Sequence, residues 1–529
     1  LRISNGTEIG KVDITILHSR ESGEKGVDWK VLLGLLLLLA FILRIFLVFF
    51  PEVIYNDGTE YVRSAKLILS GNWGGSKVPP LYPALIALVS LFTSDFELAG
   101  IWVSVILGTL VILPVFYLGK EIFDEKVGVL SALFAVVQPF LYMSSGSVLT
   151  ESAYHLLLCT AVLFSWKAFS SGKFYSILLF SLFTTFSYLT KPEAIGFLFV
   201  FSVWVGLVHS PVEKRSWARK IGIISAAILA FLVFSSPYLI QIRKETGRWG
   251  ISKKLNVMIG SLSEEEETPS IWVMRKKKAL TLSSLVKNPL PVLGKVGTGL
   301  LESIYKFQQV YNPLLFLPAL LGWVFLFKKK NSCSLKGSFF LMSHLVFFFG
   351  FVLPFFFITR RYTSQMISIS IPWAAFGFLG LTEWLHQRWG RSVSLKKFSV
   401  PLLLFILIGL FIQGRVIHTR ERRVIKREVG LWMKENLLKG SKVMSRLPQE
   451  AFYAEFPWVR MPEEEYDKIM GEAQSKGVRY LLIEEDVERI SPNFLARIRQ
   501  EDLVLVRDFN RKDQKITIFK INERDEKKR

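Results

Sequence analysis

Long apolar runs separated by short polar segments set the pattern of this chain. Val31–Phe50 and Ile221–Leu239 each hold about 20 residues, the length at which a helix crosses the hydrocarbon of a bilayer. Val31–Phe50 reads as the first span, and the others are expected near Gly100–Gly119, Val127–Ser144, Ala153–Ala168, Phe174–Leu189, Ala194–Leu207, Lys220–Ile240, Pro313–Phe327, Phe339–Ile358, Ile367–Leu385 and Val400–Ile412. Pro80–Phe92 is apolar but short and follows Pro79-Pro80, so it reads as a juxtamembrane helix. The sum is an α-helical polytopic membrane protein with about 11 spanning helices plus juxtamembrane helices. From Gly414 the pattern changes. Val443–Ser445, Arg479–Glu484, Leu503–Arg507 and Lys515–Ile521 look like strands, separated by helical stretches such as Arg422–Leu437 and Glu463–Lys476. That describes a small α/β domain, and it carries no Gly-rich phosphate loop.

Composition supports the membrane reading. Of 529 residues, 51% are hydrophobic and 44 are Phe, while charged residues reach 21%. Disorder and a disulfide-stapled scaffold are both excluded. Cys159 sits in an apolar run and Cys333 in a basic segment, so no bridge between them is expected. The formal charge of +22 has a topological explanation. Much of it falls in Glu213–Lys220, Lys328–Lys336 and His386–Lys397, and basic loops collect on the cytoplasmic side. No nucleic-acid partner is implied. With those loops inside, residues 1–30 are a cytoplasmic N-terminal segment and 31–413 a transmembrane domain. Residues 414–529 form the external α/β domain. The outer side then receives a first loop (51–99), a large loop (241–312), and the short segments Ser145–Ser152, Thr190–Glu193 and Thr359–Gln365.

A small polar set gathers on that outer side. Asp57 lies in Tyr55-Asn56-Asp57-Gly58-Thr59-Glu60-Tyr61, where Asn-Asp-Gly also suits a plain turn. Thr150-Glu151 would cap a helix, with His155 one turn deeper as a buried, hydrogen-bonded histidine in reach of Glu151. Lys191-Pro192-Glu193 and Arg360-Arg361-Tyr362 place cations outside, against the positive-inside trend. A single one could snorkel to headgroups. Several together suit an anionic ligand such as a lipid phosphate, because Arg binds its oxygens in pairs and Lys adds a point charge.

Asp57-x-x-x-Tyr61, then Ala65, Gly71 and Pro79-Pro80-Leu81, resembles the first external loop of the dolichyl-phosphate-mannose protein mannosyltransferases. It is equally similar to the related bacterial aminoarabinose transferases that act on lipid A. Thr150-Glu151, Thr190-Lys191-Pro192-Glu193 and Arg361-Tyr362 follow in the family's order, so the likeness runs from about Val31 to Leu385. The resemblance implies a GT-C fold and a polyprenyl-phosphate sugar donor. It makes Asp57 the catalytic carboxylate and Glu151 the acidic position of the second external loop. Lys191, Arg360, Arg361 and Lys77 become candidates for the donor phosphate, and Glu60, Tyr61, His155, Glu193 and Tyr362 for the substrate site. Two positions depart from the pattern: Gly58 stands where relatives often carry Glu, and Lys191 where Arg often precedes Pro-Glu. The eukaryotic enzymes' extra lumenal domain is absent, which favours a prokaryotic cytoplasmic membrane.

The chemistry agrees with the residues. A hydroxyl acceptor on protein, lipid or glycan is a poor nucleophile, and a placed carboxylate base contributes on the order of 10²–10⁴ in rate. Cations beside the leaving phosphate stabilise the charge that grows there. No cofactor is required, and a divalent cation is left open. Two other readings compete: a flippase for a lipid-linked sugar, although no internal repeat is visible, and an oligosaccharide transferase using a diphosphate-linked donor.

Overall fold

The apolar runs become helices, and prolines and caps decide where those helices stop. The structure, a computed structural model, describes residues 28–49, 53–72, 75–76, 78–210, 215–253, 289–329, 331–355, 358–389, 395–417, 424–484, 487, 494–499, 501–511 and 514–522. α1 (Trp29–Phe49) leads into the first loop, which carries α2 (Asn56–Leu69) and α3 (Leu81–Ser90). With ten residues, α3 rises about 15 Å, half the thickness of a bilayer's hydrocarbon. It packs on α2 and on α4 (Phe96–Leu110), which continues past Val111 into α5 (Ile112–Ile122).

α6 (Glu125–Val137) ends at Gln138, and Pro139 opens α7 (Pro139–Ser144). Proline has no N–H to continue the ladder. The Gln138 side chain bridges the break, accepting from the Leu141 amide at 2.8 Å and donating to the Val310 carbonyl at 2.9 Å. The exposed C-terminal carbonyls of α6 are met by Arg44 of α1, which is fully buried. Its guanidinium lies 3.4 Å from the carbonyls of Ala135 and Val136 and donates from Nε to Ser145 Oγ at 3.2 Å.

α8 (Glu151–Ser171), α9 (Phe174–Tyr188), α10 (Gly196–Leu207) and α11 (Trp217–Thr246) follow. α12 (Pro289–Tyr311) and α13 (Pro313–Lys329) then meet at 116° about Asn312, whose φ is 80°. After α14 (Ser332–Phe347) and a π turn come α15 (Arg360–Thr363), α16 (Ile367–Trp389) and α17 (Leu395–Ile417). The backbones of α13 and α16 touch. A Cβ on Gly377 would lie 1.8 Å from the Pro318 carbonyl oxygen, so only a residue without one fits.

This is a multi-pass membrane protein. Most stretches read as spans from the sequence lie on helix, but Val127–Ser144 is broken at Gln138 and Phe339–Ile358 leaves the α-helix at Phe348, with residues 356–357 outside the described ones. Among the described residues, however, five helices are long and apolar enough to cross by those measures alone, or six if the bent α12–α13 pair is one span. That is fewer than the sequence reading counts. α17 also runs to Ile417, past the boundary drawn at Gly414.

The C-terminal domain comprises α18 (Val424–Asn436), β1 (Lys442–Ser445), α19 (Gln449–Ala454), β2 (Trp458–Arg460), α20 (Tyr466–Ser475), β3 (Val478–Glu484), β4 (Leu503–Arg511) and β5 (Gln514–Ile521). Strand order is β2-β1-β3-β5-β4, with β1 parallel to β2 and β3, and β5 antiparallel to β3 and β4. β2 was not foreseen: its three residues are all half-buried, so no alternation marks them. Apolar cores cover both sheet faces, one around Leu481 and Ile469, the other around Leu482 and Val429.

Candidate active site

Asp57 lies in the first turn of α2, so Asn-Asp-Gly opens a helix here instead of closing a turn. The helix N-terminus favours the carboxylate. Gly58 explains one departure from the resembled family. A Cβ there would lie 2.7 Å from Ile54 Cγ1 and 2.8 Å from the Val148 carbonyl oxygen, which leaves no room for glutamate.

Glu151 begins α8 and is 1% exposed. Thr150 sits at the N-cap without a side-chain cap bond. Arg361 comes from α15, whose start is held by Thr359 accepting from the Tyr362 amide at 3.3 Å. These elements meet in one row of charges. Arg361 donates Nε and Nη2 to Glu151 at 2.5 and 3.3 Å and Nη1 to Asp57 Oδ2. Lys191 Nζ reaches Glu151 Oε1 at 3.2 Å and lies over the rings of Tyr154 and Tyr362, 5.3 and 5.6 Å from their centres. Two carboxylates and two cations thus alternate as Asp57, Arg361, Glu151 and Lys191. Burial raises the Glu151 carboxyl, but Arg361 and then Lys191 more than reverse this and hold its pKa at about 2.

The remaining candidates divide. Tyr61 is buried with its ring edge-on to Tyr82 at 5.2 Å, and burial followed by Asp57 pushes its phenol well up. Glu193 accepts from Gln365 Nε2 at 3.2 Å, and Tyr362 flanks Lys191. Glu60 instead pairs with Arg63 at 2.9 Å on an exposed face. Arg360 turns away and donates to Gln309 at 2.7 Å. His155 is fully buried against Phe140, yet among the described residues neither ring nitrogen has a hydrogen-bond partner. The hydrogen-bonded histidine in reach of Glu151 is therefore not what forms. Lys77 lies outside the described residues. Among those residues no three His, Cys, Asp or Glu side chains gather around a common point, and both Asp57 and Glu151 are already bonded to Arg361.

Sequence reasoning missed Gln365 and Tyr154. Both had a signal, since Gln365 is four residues after Arg361 and Tyr154 three after Glu151, spacings that share a helix face.

Comparisons with known proteins bear on the fold and the class of enzyme. The family model for dolichyl-phosphate-mannose-protein mannosyltransferase matches residues 77–240, a segment holding Glu151, Lys191 and Glu193. No curated protein matches the sequence. ArnT from Cupriavidus metallidurans bound to undecaprenyl phosphate superposes with a TM-score of 0.60 at 11% identity, over 93% of this chain and 98% of that one. The chain has the GT-C glycosyltransferase fold. A second GT-C structure, the apo oligosaccharyltransferase of Archaeoglobus fulgidus, aligns with a TM-score of 0.52 at 13% identity, over 88% of this chain and 70% of that one. Within the GT-C frame the matched family and both superposed proteins are glycosyltransferases, and the alternating charge row lies where the starts of α2, α8 and α15 meet the segment between α9 and α10.

Proposed function

We propose that the protein transfers a monosaccharide from a polyprenyl-phosphate donor to an acceptor hydroxyl at the external face of a prokaryotic cytoplasmic membrane. The observation that carries this reading is Arg361, which bonds Asp57, a carboxylate suited to be a base, and shares Glu151 with Lys191, so that two cations suited to a phosphate stand beside that base. In a single inverting displacement, the acceptor oxygen attacks the anomeric carbon as Asp57 takes its proton. The bond from that carbon to the phosphate oxygen breaks, and its electron pair stays on the departing polyprenyl phosphate. Charge on the phosphate therefore rises along the reaction, and nearby cations stabilise the transition state more than the ground state.

Arg361 suits that task because three of its five N–H groups serve the two carboxylates, leaving two for phosphate oxygens. Lys191 supplies the second charge, and Glu151 orients both cations. Undecaprenyl phosphate bound to ArnT supports a donor of this class.

The test is sugar release by purified protein from a panel of labelled polyprenyl-phosphate monosaccharides, with Asp57→Asn as control. Turnover of a donor, lost by a factor on the order of 10²–10⁴ in the variant, is the expected result. Full turnover by folded Asp57→Asn protein would overturn the assignment.

A further inference from the structure

The C-terminal domain meets the first loop through α19, where Phe452 packs against the loop's core and Tyr453 enters it. Tyr453 of α19 is 7% exposed, and the core it belongs to is that of the first loop, beside Val53, Ile54, Tyr61 and Tyr82, not a core of its own sheet. Its hydroxyl accepts from the Ile54 amide at 2.9 Å and donates to Glu97 Oε1 at 2.8 Å. Arg427 of α18 lies 5.5 Å from the centre of the Tyr453 ring on the domain side.

Each partner is itself fixed. Glu97 stands in the first turn of α4, capped by Asp95, whose carboxylate accepts from the amides of Glu97 and Leu98 at 2.8 and 3.1 Å. One turn on, Tyr82 donates to the Gly100 carbonyl at 3.2 Å, and Ser104 donates to the Ser147 carbonyl at 2.8 Å. α4 is thus tied to the segment that delivers Glu151. Ile54 is 2% exposed, lies three residues before Asp57, and is the side chain against which Gly58 packs without space for a Cβ. A shift of Ile54 therefore shifts the first turn of α2.

We propose that Tyr453 is a positioning residue: the C-terminal domain clamps the Ile54 amide to Glu97 and thereby sets Asp57 against the Arg361–Glu151 pair. The inference rests on Asp57 being the base. A peptide N–H at a loop start has no helical partner of its own, and here a hydroxyl 399 residues away supplies it. The domain thus has a task in catalysis that needs no acceptor contact.

Tyr453→Phe keeps the ring and removes both bonds. Hydrogen exchange at the Ile54 amide is expected to quicken by roughly tenfold or more. Turnover is expected to fall roughly ten- to a hundredfold, the scale of a small misplacement of a reacting group. Binding of undecaprenyl phosphate should be unchanged, because neither Arg361 nor Lys191 is bonded to Tyr453. Glu97→Gln preserves the acceptor oxygen and should retain turnover; Glu97→Leu should not. Unchanged Ile54 exchange, or faster exchange with full turnover, overturns the proposal. A purely structural role would lower the yield of folded protein and spare turnover per folded molecule, which also overturns it. A wild-type protein inactive on every donor would instead overturn the transferase reading, and exchange alone would then decide the clamp.

Discussion

Replacing Glu151 by Gln removes one charge from the middle of the row while nearly preserving shape. A carboxyl held at about 2 against an ordinary 4.5 contributes about 3 kcal/mol to stability at pH 7. Part of that returns in the variant, since the Arg361 side chain is 31% exposed and keeps Asp57, so the net loss should be about 2 kcal/mol. The sign follows from a lowered pKa. The contribution is complete above about pH 4.5 and disappears as pH falls through about 2. Thermal unfolding of detergent-purified wild type and variant at pH 7.5 and near pH 3 measures it, with a difference of a few degrees expected at the higher pH and a smaller one at the lower. Saturating undecaprenyl phosphate should narrow the gap at pH 7.5, because a phosphate can replace the missing negative charge beside Lys191 and Arg361. An equal deficit at both pH values, with and without the lipid, would refute the electrostatic account of the row.

Other outcomes follow from single residues. Gly58→Ala should cost about 1–3 kcal/mol and most of the turnover, because its Cβ meets the Val148 carbonyl at 2.8 Å; a thermal scan with an activity assay checks both. In the C-terminal domain Glu450 is fully buried, and burial raises its carboxyl to about 7, with Lys426 opposing and Glu484 adding to the rise. A raised carboxyl loses stability as pH climbs from its unfolded value through about 7, so Glu450→Gln should raise Tm at pH 8 and leave it nearly unchanged at pH 4. Cys333 is exposed beside the basic 328–336 loop while Cys159 is buried. An impermeant maleimide should label Cys333 in inside-out vesicles and not in intact cells; the reverse pattern would invert the topology.

The candidate site was readable from sequence to the extent that its charges sit in loops. Asp57, Glu151, Lys191 and Arg361 break the rhythm of apolar runs, and positive-inside parity sends them to one side once Pro80–Phe92 is read as a juxtamembrane helix. What sequence could not supply was who bonds to whom. Adjacent Arg360 and Arg361 look interchangeable, yet one faces Gln309 and the other both carboxylates. His155 suggested a hydrogen-bonded partner for Glu151 and has none among the described residues. Tyr453 is core, but of a loop 399 positions upstream. Such pairings depend on how separate helices dock, and helical periodicity carries no record of that. The breaks at Pro139 and Pro313 were visible as prolines, but only the structure shows that Gln138 and Asn312 close the gaps with side chains.

Arg44 has a consequence for how the chain is made. α1 enters the bilayer before α6, carrying a guanidinium whose carbonyl partners Ala135 and Val136 lie 91 and 92 residues further on, and Ser145 101 residues on. At roughly 5–20 residues per second, that interval lasts about 5–20 s. During it the arginine stands in or near lipid without those partners, at a cost of about 2.5–3.5 kcal/mol near the centre of a helix. The surrounding Leu, Ile and Phe residues more than offset that for insertion. They do not relieve the arginine itself, which until α6 arrives has only the Ala40 carbonyl of its own helix, at 3.4 Å. α4 is made earlier and also packs on α1, so α1 has a helical neighbour before its arginine is fully bonded, and the arrival of α6 completes the arginine's hydrogen bonds.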